Sequence, residues 1–600
     1  MYELDKPFNL KGKKVLVFDI EADGFLDGLS KIHCVAIKAY DEDKTIEPSL
    51  YFGEDLHKAI NILASADYLV AHNGISYDIP AINKLYPNVE LPPCIDTLLL
   101  AKLYNPFLPS YSLKELGILL KEHKGDYDKG FEFYNKEMGI YCQQDVVVTN
   151  KLFNMLLGRL DISSSYVVLE HEVKYIQCKG ERKGVDFDYV AAMKLQMEID
   201  SKMEDISGEV VPSLGYAYSP YEQIYKLKKN GDPSNNALKW LAMSPNHVAG
   251  GDFCKIEYTK ITLDTKKLLI DKLLQDGWIP SSRTEKGYPQ IAVKGVVCNH
   301  LLTDSKFENV GTYFVLKHRK GLVEGLFKLV RKKDGRIESR ADTLGAVTHR
   351  YTHSGIANFP AVRSLYGEAI RSLFGVFEDD RVFVGSDLAG LEARMLAHYM
   401  DDDEFTELVS GPDADVHTFN QHKVGLPTRD AAKTFYYALL YGGGNAKIGS
   451  LVNGNEADGK RIKEMYFEEF PGLAQTNSRL QKEAKKGFVT SLDGRPIRIT
   501  KGDKGDYDTH KALNSLLQSS GAIFAKHWLC FTNQYLEEHN ADATIVISYH
   551  DELQIDCHKN SVEIVTKALR YGVEMADKVL KTNCPNDIDI KVGKNWKDTH

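Results

Sequence analysis

Two acidic residues, Asp19 and Glu21, lie two positions apart in the run KVLVFDIEADG. The apolar residues of this run predict a buried strand. Because strand side chains alternate between faces, both carboxylates project from one face at its end. Adjacent carboxylates repel each other unless a cation lies between them, and their hard oxygens suit Mg²⁺ or Mn²⁺. A strand that leaves the core into an acidic turn would show the same pattern, so the pair alone leaves both interpretations open.

Three further residues belong with this pair. The segment HNGISYD places Asp78 just after the apolar run DYLVAHN, and MGIYCQQDVVVTN predicts a helix with Tyr141 and Asp145 one turn apart on one face. A strand Asp-x-Glu, a later Asp and a helical Tyr-x3-Asp resemble, in this order, the 3′–5′ exonucleases used in proofreading, over residues 10–155. Asp96, in CIDTLLL, either lies behind such a site or caps a helix.

This first resemblance implies a two-metal nuclease site. Four carboxylates would hold two metal ions, and these are Asp19, Glu21, Asp78 and Asp145. Tyr141 would orient the attacking water. One metal makes hydroxide near neutral pH, while both stabilise charge on the in-line phosphoryl transition state.

A second set of acidic residues lies in the last third of the chain. Residues 381–400, RVFVGSDLAGLEARMLAHYM, predict a strand that ends at Asp387, a turn, and then a helix. TIVISYHDELQID predicts two strand segments around His550, Asp551 and Glu552. Each of these patterns alone is also typical of ordinary turn chemistry.

A helix with an unusual face is predicted between these two segments, in PTRDAAKTFYYALLYGGG. At about 100° per residue, Arg429, Lys433, Tyr437 and Tyr441 fall on one stripe of the helix. Two cations and two aromatic rings suit a triphosphate and a stacked base. A tyrosine stripe is more often part of a core, but the interleaved cations make that alternative less favourable here.

In order and spacing, the three segments resemble the A, B and C motifs of family A (Pol I-like) DNA polymerases, over residues 340–600. The motifs read Asp387-x4-Glu392, then Arg429-x3-Lys433-x7-Tyr441, then His-Asp-Glu at 550–552. Together with the exonuclease motifs, they resemble the replicative polymerases of short-tailed bacteriophages. Local agreement comes from YCQQDVVVT, ALNSLLQSSGA and GKNWKDTH.

The resemblance implies an α/β (multi-domain α+β) fold, with a ribonuclease H-like exonuclease domain followed by a right-hand polymerase domain. We expect the exonuclease domain at 1–162, the thumb at 163–320, the palm at 321–400 and 514–600, and the fingers at 401–513. Strand-like runs that alternate with helical ones in the first 160 or so residues agree with the first part.

The implied reaction is template-directed extension of a primer 3′-OH with dNTPs by two-metal catalysis. Asp387, Asp551 and the carbonyl of Leu388 would bind two Mg²⁺, for which Mn²⁺ may substitute, with Glu552 beside them. One metal would lower the pKa of the primer 3′-OH, and the other would neutralise the leaving pyrophosphate. Lys433 would protonate the leaving group.

The resemblance also implies the residues that bind the substrates. Arg429, Lys433 and His417 would grip the triphosphate. Glu392 would lie against Tyr437 and reject a ribose 2′-OH, and Tyr441 would stack near the template base. Because position 437 is Tyr rather than Phe, the sequence predicts ready acceptance of dideoxynucleotides. DNA contacts are expected from Arg350, Asn514, Gln518 and His550.

Two segments depart from the family pattern or lack a clear role. The usual Thr-Gly-Arg reads Thr348-His349-Arg350, and the stretch that follows is shortened to ANFPAV. Thumb contacts with duplex DNA are expected from Lys-rich segments such as YKLKKNG at 225–231. In the best-known phage relatives an insertion here binds host thioredoxin, but this segment looks too short and too weakly basic for a full version. That partner stays open.

Composition narrows the class of protein. The chain has 600 residues, 43% hydrophobic and 26% charged, which excludes collagen-like, low-complexity and disordered proteins. There is no apolar run of about 18 residues and no signal-peptide region. Nine cysteines without a CxxC argue against a zinc ribbon or a secreted disulfide framework. We therefore expect a cytoplasmic location (the host bacterial cytoplasm for a phage protein) and no membrane partner.

The net charge of −9 does not exclude nucleic acid, because a polyanion responds to local potential and acidic metal ligands lower the total. The stretch 317–336 is strongly basic, although a solvated helix face needs no function. Expected partners are primer-template DNA and dNTPs, with a helicase-primase as a further candidate.

Three other functions are weighed against polymerase with proofreading exonuclease. One is a 3′–5′ exonuclease whose polymerase-like half only binds DNA, which the intact acidic and basic motif residues disfavour. Another is a noncatalytic replication scaffold. The third is a single-subunit RNA polymerase, which Glu392 and the fused exonuclease disfavour.

Overall fold

A computed structural model describes residues 3–40, 47–225, 228–235, 238–239, 247–248, 253–356, 359–411, 415–452, 454–502 and 505–600. The chain divides into two units. The first comprises Met1–Asp186, Arg336–Asn358 and Phe374–His600, and the second comprises Phe187–Gly335 and Phe359–Leu373. In the described residues no helix combines the length and the apolar character needed to cross a membrane.

The N-terminal part of the first unit alternates strands and helices, as its sequence predicts. Its elements are β1 (Val15–Ala22), β2 (Ile32–Ala39), β3 (Ser49–Phe52), α1 (Leu56–Ala64), β4 (Tyr68–Ala71), α2 (Asp78–Leu85), β5 (Cys94–Asp96), α3 (Thr97–Tyr104), α4 (Leu113–Leu119), α5 (Lys136–Leu157), α6 (Ser165–Lys183) and β6 (Val185–Phe187).

These five first strands form one mixed sheet in the order β3-β2-β1-β4-β5. The central strand β1 runs antiparallel to β2 and parallel to β4. Strand β1 is buried along nearly its whole length, because helix α5 packs on it and on β2. Asp19 and Glu21 are therefore held on a strand that is buried almost throughout.

The second unit is built mainly of helices. Its elements are α7 (Tyr189–Leu214), β7 (Tyr216–Tyr225), β8 (His247–Val248), β9 (Phe253–Lys260), α8 (Lys266–Gln275), β10 (Ala292–Val293), β11 (Val296–Val297), α9 (His300–Thr303) and α10 (Glu308–Phe327). Helices α7 and α10 pack together, and β7, β9 and β8 form a small sheet.

The thumb expected at 163–320 and the second unit, at 187–335 with 359–373, have different limits. Helix α6 belongs to the first unit because it packs on elements of the C-terminal half described below. The thumb itself stays a prediction. In the expected DNA-facing segment YKLKKNG, residues 226 and 227 lie outside the described part of the chain.

The rest of the chain returns to the first unit, apart from one short helix. Its elements are β12 (Arg336–Ile337), β13 (Ser339–Asp342), β14 (Thr352–Gly355), α11 (Gly367–Arg371, second unit), β15 (Phe374–Gly375), β16 (Arg381–Leu388), α12 (Leu391–Met400), α13 (Asp403–Ser410), α14 (Val416–Val424), α15 (Arg429–Leu440), α16 (Asn445–Leu451), α17 (Glu456–Glu469), α18 (Pro471–Ala484), β17 (Phe488–Thr490), β18 (Pro496–Arg498), α19 (Ala512–Glu538), β19 (Ala543–Tyr549), β20 (Glu552–His558), α20 (Val562–Leu580) and β21 (Ile588–Gly593).

Four of these strands form an antiparallel sheet in the order β19-β20-β16-β21. The long helices α19 and α20 pack on each other and share one core with the sheet. Helix α6 packs on both β19 and α19, so this core also anchors the helix that follows the N-terminal sheet.

A buried group of charges ties α6 to this core. Glu170 on α6 accepts hydrogen bonds from Arg495, at 2.5 Å, and from Lys526, at 2.8 and 2.7 Å. All three side chains are fully buried, and Arg495 also pairs with Asp493 at 2.7 Å. Breaking such a cluster on one side leaves a buried charge without its partner.

Candidate active sites

The first acidic cluster forms where α2 and α5 meet the end of β1. Asp78, at the start of α2, accepts a hydrogen bond from the backbone N–H of Ile20 at 3.3 Å. Cys142 of α5 donates its thiol to the carbonyl of Asp19 at 3.4 Å. Asp145 lies one turn after Tyr141 on the same helix. The structure thus brings together the carboxylates that the sequence placed on three separate segments.

Burial and crowding raise the pKa of each carboxyl group in this cluster. Burial, followed by repulsion from Asp145 and Asp78, raises the pKa of Asp19 well above its usual value. Burial is also the main cause that raises the pKa of Glu21 to about 8, of Asp78 to about 7 and of Asp145 to about 6. Four acidic groups held this close favour a divalent cation between them.

The donor atoms of this cluster fit a hard cation. Carboxylate oxygens of Asp19 and Glu21 lie within 4.8 Å of each other and of the Cys142 sulfur. Burial raises the pKa of the Cys142 thiol, and the thiol is already a hydrogen-bond donor, so this soft group is not the ligand. The buried Oδ1 of Asp145 has no hydrogen-bond partner among the described residues, which leaves it open to a metal ion.

Lys124 is a member of this cluster that no sequence pattern predicts. Its ammonium group lies 2.5 Å from the Asp145 carboxylate and 4.6 Å from the centre of the Tyr141 ring. Burial alone would lower the pKa of Lys124, but the Asp145 carboxylate raises it. Lys124 comes from a loop without helical or strand periodicity, so no local pattern marks it.

Asp96 supports the cluster from behind. Its side chain caps α3 by accepting from the N–H of Leu98 at 3.0 Å, and it accepts from Asn73 at 2.8 Å and Ile75 at 3.3 Å. Asp96 therefore both caps a helix and lies behind the cluster, because the same carboxylate holds the loop that leads to Asp78.

The second acidic cluster lies at the end of β16. Asp387 is directly opposite Glu552 of β20 in the strand register. The N–H of Leu388 donates to the carbonyl of Asp551 at 2.9 Å, which places Asp551 beside Asp387. The carbonyl of Leu388 belongs to the same strand end. Backbone pairing thus brings next to each other two chain segments that bear Asp387 and Asp551 and are far apart in sequence.

The carboxyl groups of this cluster titrate in different ways. Burial, followed by repulsion from Glu552, raises the pKa of Asp387 to about 7, and burial raises that of Asp551. Burial also acts to raise the pKa of Glu552, but hydrogen bonds to His600, Gln554 and Trp596 lower it overall. His600 Nδ1 lies 3.1 Å from Glu552 and 3.9 Å from Asp387.

These donors also fit a hard divalent cation. Atoms of Asp387, Glu552 and His600 lie within 4.8 Å of one another. The indole N–H of Trp596 and the amide of Gln554 both donate to one Glu552 oxygen. Glu552 is thus held mainly by the protein, whereas Asp387 and Asp551 are the freer carboxylates.

A cavity of about 250 Å³ opens beside this cluster. Seven of the predicted site residues line it: Arg350, Glu392, Lys433, Tyr437, Gln518, His550 and Asp551. Seven others lie outside its lining, and these are Asp387, Leu388, His417, Arg429, Tyr441, Asn514 and Glu552. Asn514 is one turn before Gln518 on α19, and its buried Oδ1 has no partner among the described residues.

The stripe predicted on α15 is present, but its two cations have different surroundings. Lys433 lines the cavity, whereas Arg429 pairs with Asp415 at 2.9 Å, and this Asp also caps α14. The ring of His417 lies 6.0 Å from that of Tyr437. Burial, followed by Arg429 and Lys433, lowers the pKa of His417. Asp415 is a second residue that the sequence analysis did not select, although its position before a helix marked it as a cap.

Glu392 makes a hydrogen bond that the sequence did not predict. Its carboxylate accepts from the Tyr441 hydroxyl at 2.9 and 2.8 Å. Its expected place against Tyr437 stays a prediction. Tyr441 caps the C-terminal end of α15, and its phenol reaches Glu392, which lines the cavity. Tyr437 lines the same cavity, where burial raises its pKa to about 12.

The unusual residue His349 has a backbone conformation that glycine adopts most easily. Its φ is +60°, in the left-handed region. Its side chain is buried, and its Nδ1 lies 3.3 Å from Arg495 of the buried charge group. Arg350 still reaches the cavity, so the departure from Thr-Gly-Arg keeps the following arginine in place.

Known protein families match both the N-terminal and the C-terminal part of the chain. A family described as DNA polymerase family A matches residues 253–598, and one described as the RNase_H superfamily matches residues 16–131. The DNA-directed DNA polymerases of Escherichia phage T7 and Enterobacteria phage T3 are each 29% identical to the chain, over 98% of the chain and all of the relative.

A solved structure shows a similar fold across nearly the whole chain. It is the POL domain of Pol1 from M. smegmatis in complex with DNA primer-template and dNTP, with a TM-score of 0.74 and 19% identity. The match covers 97% of this chain and 95% of that one. With an RNase H-like domain before its polymerase motifs, the chain belongs to DNA polymerase family A.

Proposed function

We propose that this family A enzyme extends a primer on a DNA template with dNTPs at the Asp387–Asp551 cluster and shortens 3′ ends at the Asp19 cluster. The observation that carries the proposal is the backbone hydrogen bond from Leu388 to Asp551. It holds the backbone of Asp551, which lines a cavity with Lys433 and Tyr437, next to the strand end that bears Asp387. The 29% identity to two phage DNA polymerases over nearly the full chain supports the same reaction.

Asp387, Asp551 and the carbonyl of Leu388 would hold two Mg²⁺ ions, with Mn²⁺ as a substitute. When bound, these ions supply activation of the primer hydroxyl and neutralisation of the leaving pyrophosphate. Glu552 keeps its charge because His600 and Trp596 donate to it, and it thereby adds negative potential for the cations.

The cations of α15 would bind the triphosphate. Lys433 faces the cavity and would give a proton to the leaving pyrophosphate. Arg429 is held by Asp415, so a triphosphate must compete with this carboxylate for the guanidinium. His417, beside Tyr437, would add a hydrogen bond as a neutral imidazole because its pKa is lowered.

Tyr437, Glu392 and Tyr441 would select the sugar and position the template base. The Tyr441 hydroxyl holds the Glu392 carboxylate over the cavity, where it would exclude a ribose 2′-OH. Gln518, with Asn514 one turn away, would contact the minor-groove acceptors that all correct base pairs share. Arg350 and His550 would contact the DNA at the other walls of the cavity.

At the exonuclease site, Asp19, Glu21, Asp78 and Asp145 would hold two metal ions. Tyr141 would orient the attacking water. Lys124 keeps Asp145 ionised and lies over the Tyr141 ring, so it would position both groups. A helicase-primase, host thioredoxin and the host cytoplasm remain predictions for partners and location.

One assay tests the proposal and its rivals. A labelled primer on a longer template is incubated with Mg²⁺ and either dNTPs or rNTPs, and both extension and shortening are followed. We expect extension with dNTPs alone and shortening without nucleotides. Asp387→Asn should lower extension by at least about a thousandfold and leave shortening intact, whereas Glu21→Gln should do the reverse.

The matched control is Asp379→Asn, which removes an exposed carboxylate just before β16 and should change neither activity. Shortening without any extension would favour the exonuclease with a DNA-binding polymerase half. Loss of both activities from the wild-type protein would favour a scaffold, and extension with rNTPs would favour an RNA polymerase.

A further inference from the structure

A second cavity, away from the two acidic clusters, combines aromatic rings with cations. It has a volume of about 520 Å³ and lies between the end of α3 and the loop after β18. Its main side chains are Tyr104, Phe107, Arg498, Lys501 and Tyr507, and we name it the aromatic–basic groove. Both of its walls belong to the first unit.

The groove is positively charged although the chain as a whole is acidic. Its lining contains Arg498 and Lys501 and no Asp or Glu. Both cations are exposed, and neither forms an ion pair with any carboxylate in the described part of the chain. An anionic ligand would therefore meet two available cations here, in a protein with a net charge of −9.

The rings of the groove offer surfaces for stacking. Phe107 is 47% exposed, which is unusual for a large apolar side chain. The ammonium group of Lys501 lies 5.1 Å from the centre of the Tyr507 ring, so that a cation and an aromatic face are presented together. Tyr104 is partly exposed in the opposite wall.

This combination is what single-stranded nucleic acid requires. A basic groove follows the phosphates, and aromatic side chains stack on bases that are no longer stacked on each other. Duplex DNA has no free base faces to offer, and a free triphosphate would leave three rings without a role.

The chain that lines the groove continues to the polymerase cavity. Lys501 pairs with Tyr507 through a backbone bridge, and Thr500 accepts from the N–H of Asp508 at 2.9 Å. The carbonyl of His510, three residues after Tyr507, lies close to Gly442: a Cβ added at Gly442 would be 3.1 Å from that carbonyl oxygen. Gly442 follows Tyr441, the residue proposed to stack near the template base.

We propose that the aromatic–basic groove binds the single-stranded template ahead of the base pair being formed. The inference rests on the proposed template-directed synthesis and adds the exonuclease domain to the template path through Tyr104 and Phe107. One wall from each half of the first unit then guides the incoming strand.

The test measures binding of primer-templates that differ only in the length of the 5′ template overhang. One substrate has a single unpaired template nucleotide, and the other has about eight, within the range that one single-strand-binding fold covers. The wild-type protein should bind the longer overhang more tightly. The Arg498→Ala/Lys501→Ala variant should lose about tenfold in affinity for the long overhang and little for the short one.

Two further variants sharpen the result. Phe107→Ala should also reduce the preference for the long overhang, whereas Phe107→Tyr, which keeps a ring, should retain it. The charge-matched control Arg570→Ala/Lys578→Ala removes two exposed cations of α20 and should bind both substrates like the wild type.

Three outcomes would overturn the inference: no overhang preference in the wild type, equal losses on both substrates, or a loss seen only with an unpaired 3′ primer end. The last would assign the groove to the strand that enters the exonuclease site. Insertion of a single dNTP on the short overhang is measured in parallel. Failure of that insertion in the wild type contradicts the proposed function, whereas normal insertion without overhang dependence contradicts only the groove.

Discussion

Tyr437 presents a half-buried phenol to the cavity in which the sugar of an incoming nucleotide would lie. We expect Tyr437→Phe to increase discrimination against dideoxynucleotides about fivefold, because the phenol can replace the hydrogen bond of the missing 3′-OH, worth roughly 1 kcal/mol. The ratio of ddNTP to dNTP incorporation rates measures this. Tyr436→Phe, at a fully buried ring outside the cavity lining, is the matched control. Unchanged discrimination in Tyr437→Phe would contradict the prediction.

The acidic residues of the exonuclease site predict a dependence of metal binding on pH. The folded, metal-free site binds protons more tightly than an unfolded chain, since the pKa values of Asp145, Asp78 and Glu21 are raised to about 6, 7 and 8. The stability of the metal-free protein should therefore fall as pH rises from the usual carboxylate range towards 8. Mg²⁺ needs the ionised groups, so its stabilising effect should grow over the same range.

Thermal unfolding with EDTA and with Mg²⁺, at about pH 6 and pH 8, checks this sign. The melting-temperature gain from Mg²⁺ should be larger at the higher pH, and Glu21→Gln should reduce the difference. Equal gains at both values would show that these carboxylates are not the groups that bind the metal.

The sequence could predict the residues that carry motifs but not all of their partners. Asp19, Glu21 and Asp78 of the first cluster, and Asp387 and Asp551 of the second, lie at the ends of strands and helices whose fixed periodicities are visible in the sequence. Lys124 could not be found in this way, since it comes from an irregular loop and meets Asp145 only in the folded chain.

At the scale of elements, the group of Glu170, Arg495 and Lys526 predicts a large effect on stability. Glu170→Ala would leave the buried Lys526 without its paired carboxylate and Arg495 with Asp493 alone, and should cost about 3–5 kcal/mol in free energy of unfolding. Denaturant unfolding measures it. The control is Glu537→Ala, whose pair with Lys179 lies nearer the surface and should be worth less than about 1 kcal/mol. Similar losses in both variants would contradict the buried-charge argument.

The elements themselves were predictable, whereas their pairing was less so. The apolar runs predicted β1 and β16, and the stripe of cations and tyrosines predicted the helix α15, whose other side buries Phe435 and Leu439. The order of strands and the hydrogen bond from Tyr441 to Glu392 depend on how elements pack, which no local period contains. For that reason the hydrogen bond between Tyr441 and Glu392 could not be predicted from the sequence.

At the scale of the whole molecule, the net charge does not indicate whether the protein binds DNA, because many of its charges are paired locally. Within the basic stretch 317–336, Lys317 pairs with Asp264, Lys320 with Asp200, and Arg331 with Asp334. Much of the most basic segment is thus neutralised by the protein itself. Affinity for DNA must come from local sites such as the cavity lined by Arg350 and Lys433.

Binding to primer-template should therefore depend strongly on salt despite the net charge of −9. We expect the dissociation constant to rise at least tenfold between about 50 and 200 mM KCl, because each phosphate contact releases counterions. Fluorescence anisotropy with a labelled primer-template measures the slope. A dissociation constant that does not change with salt would contradict an electrostatic DNA site.

The strand order of the two sheets has a consequence for synthesis on the ribosome. The five strands of the N-terminal sheet are all complete by Asp96, whereas β16 must wait for β20 and β21, which end at Gly593. At about 5–20 residues per second, synthesis of the stretch from Asp96 to Gly593 takes roughly half a minute to two minutes. The N-terminal domain can thus form its core while the C-terminal half is still being synthesised. The apolar strand β16, which bears Asp387, must be protected from aggregation until β20 and β21 have left the ribosome.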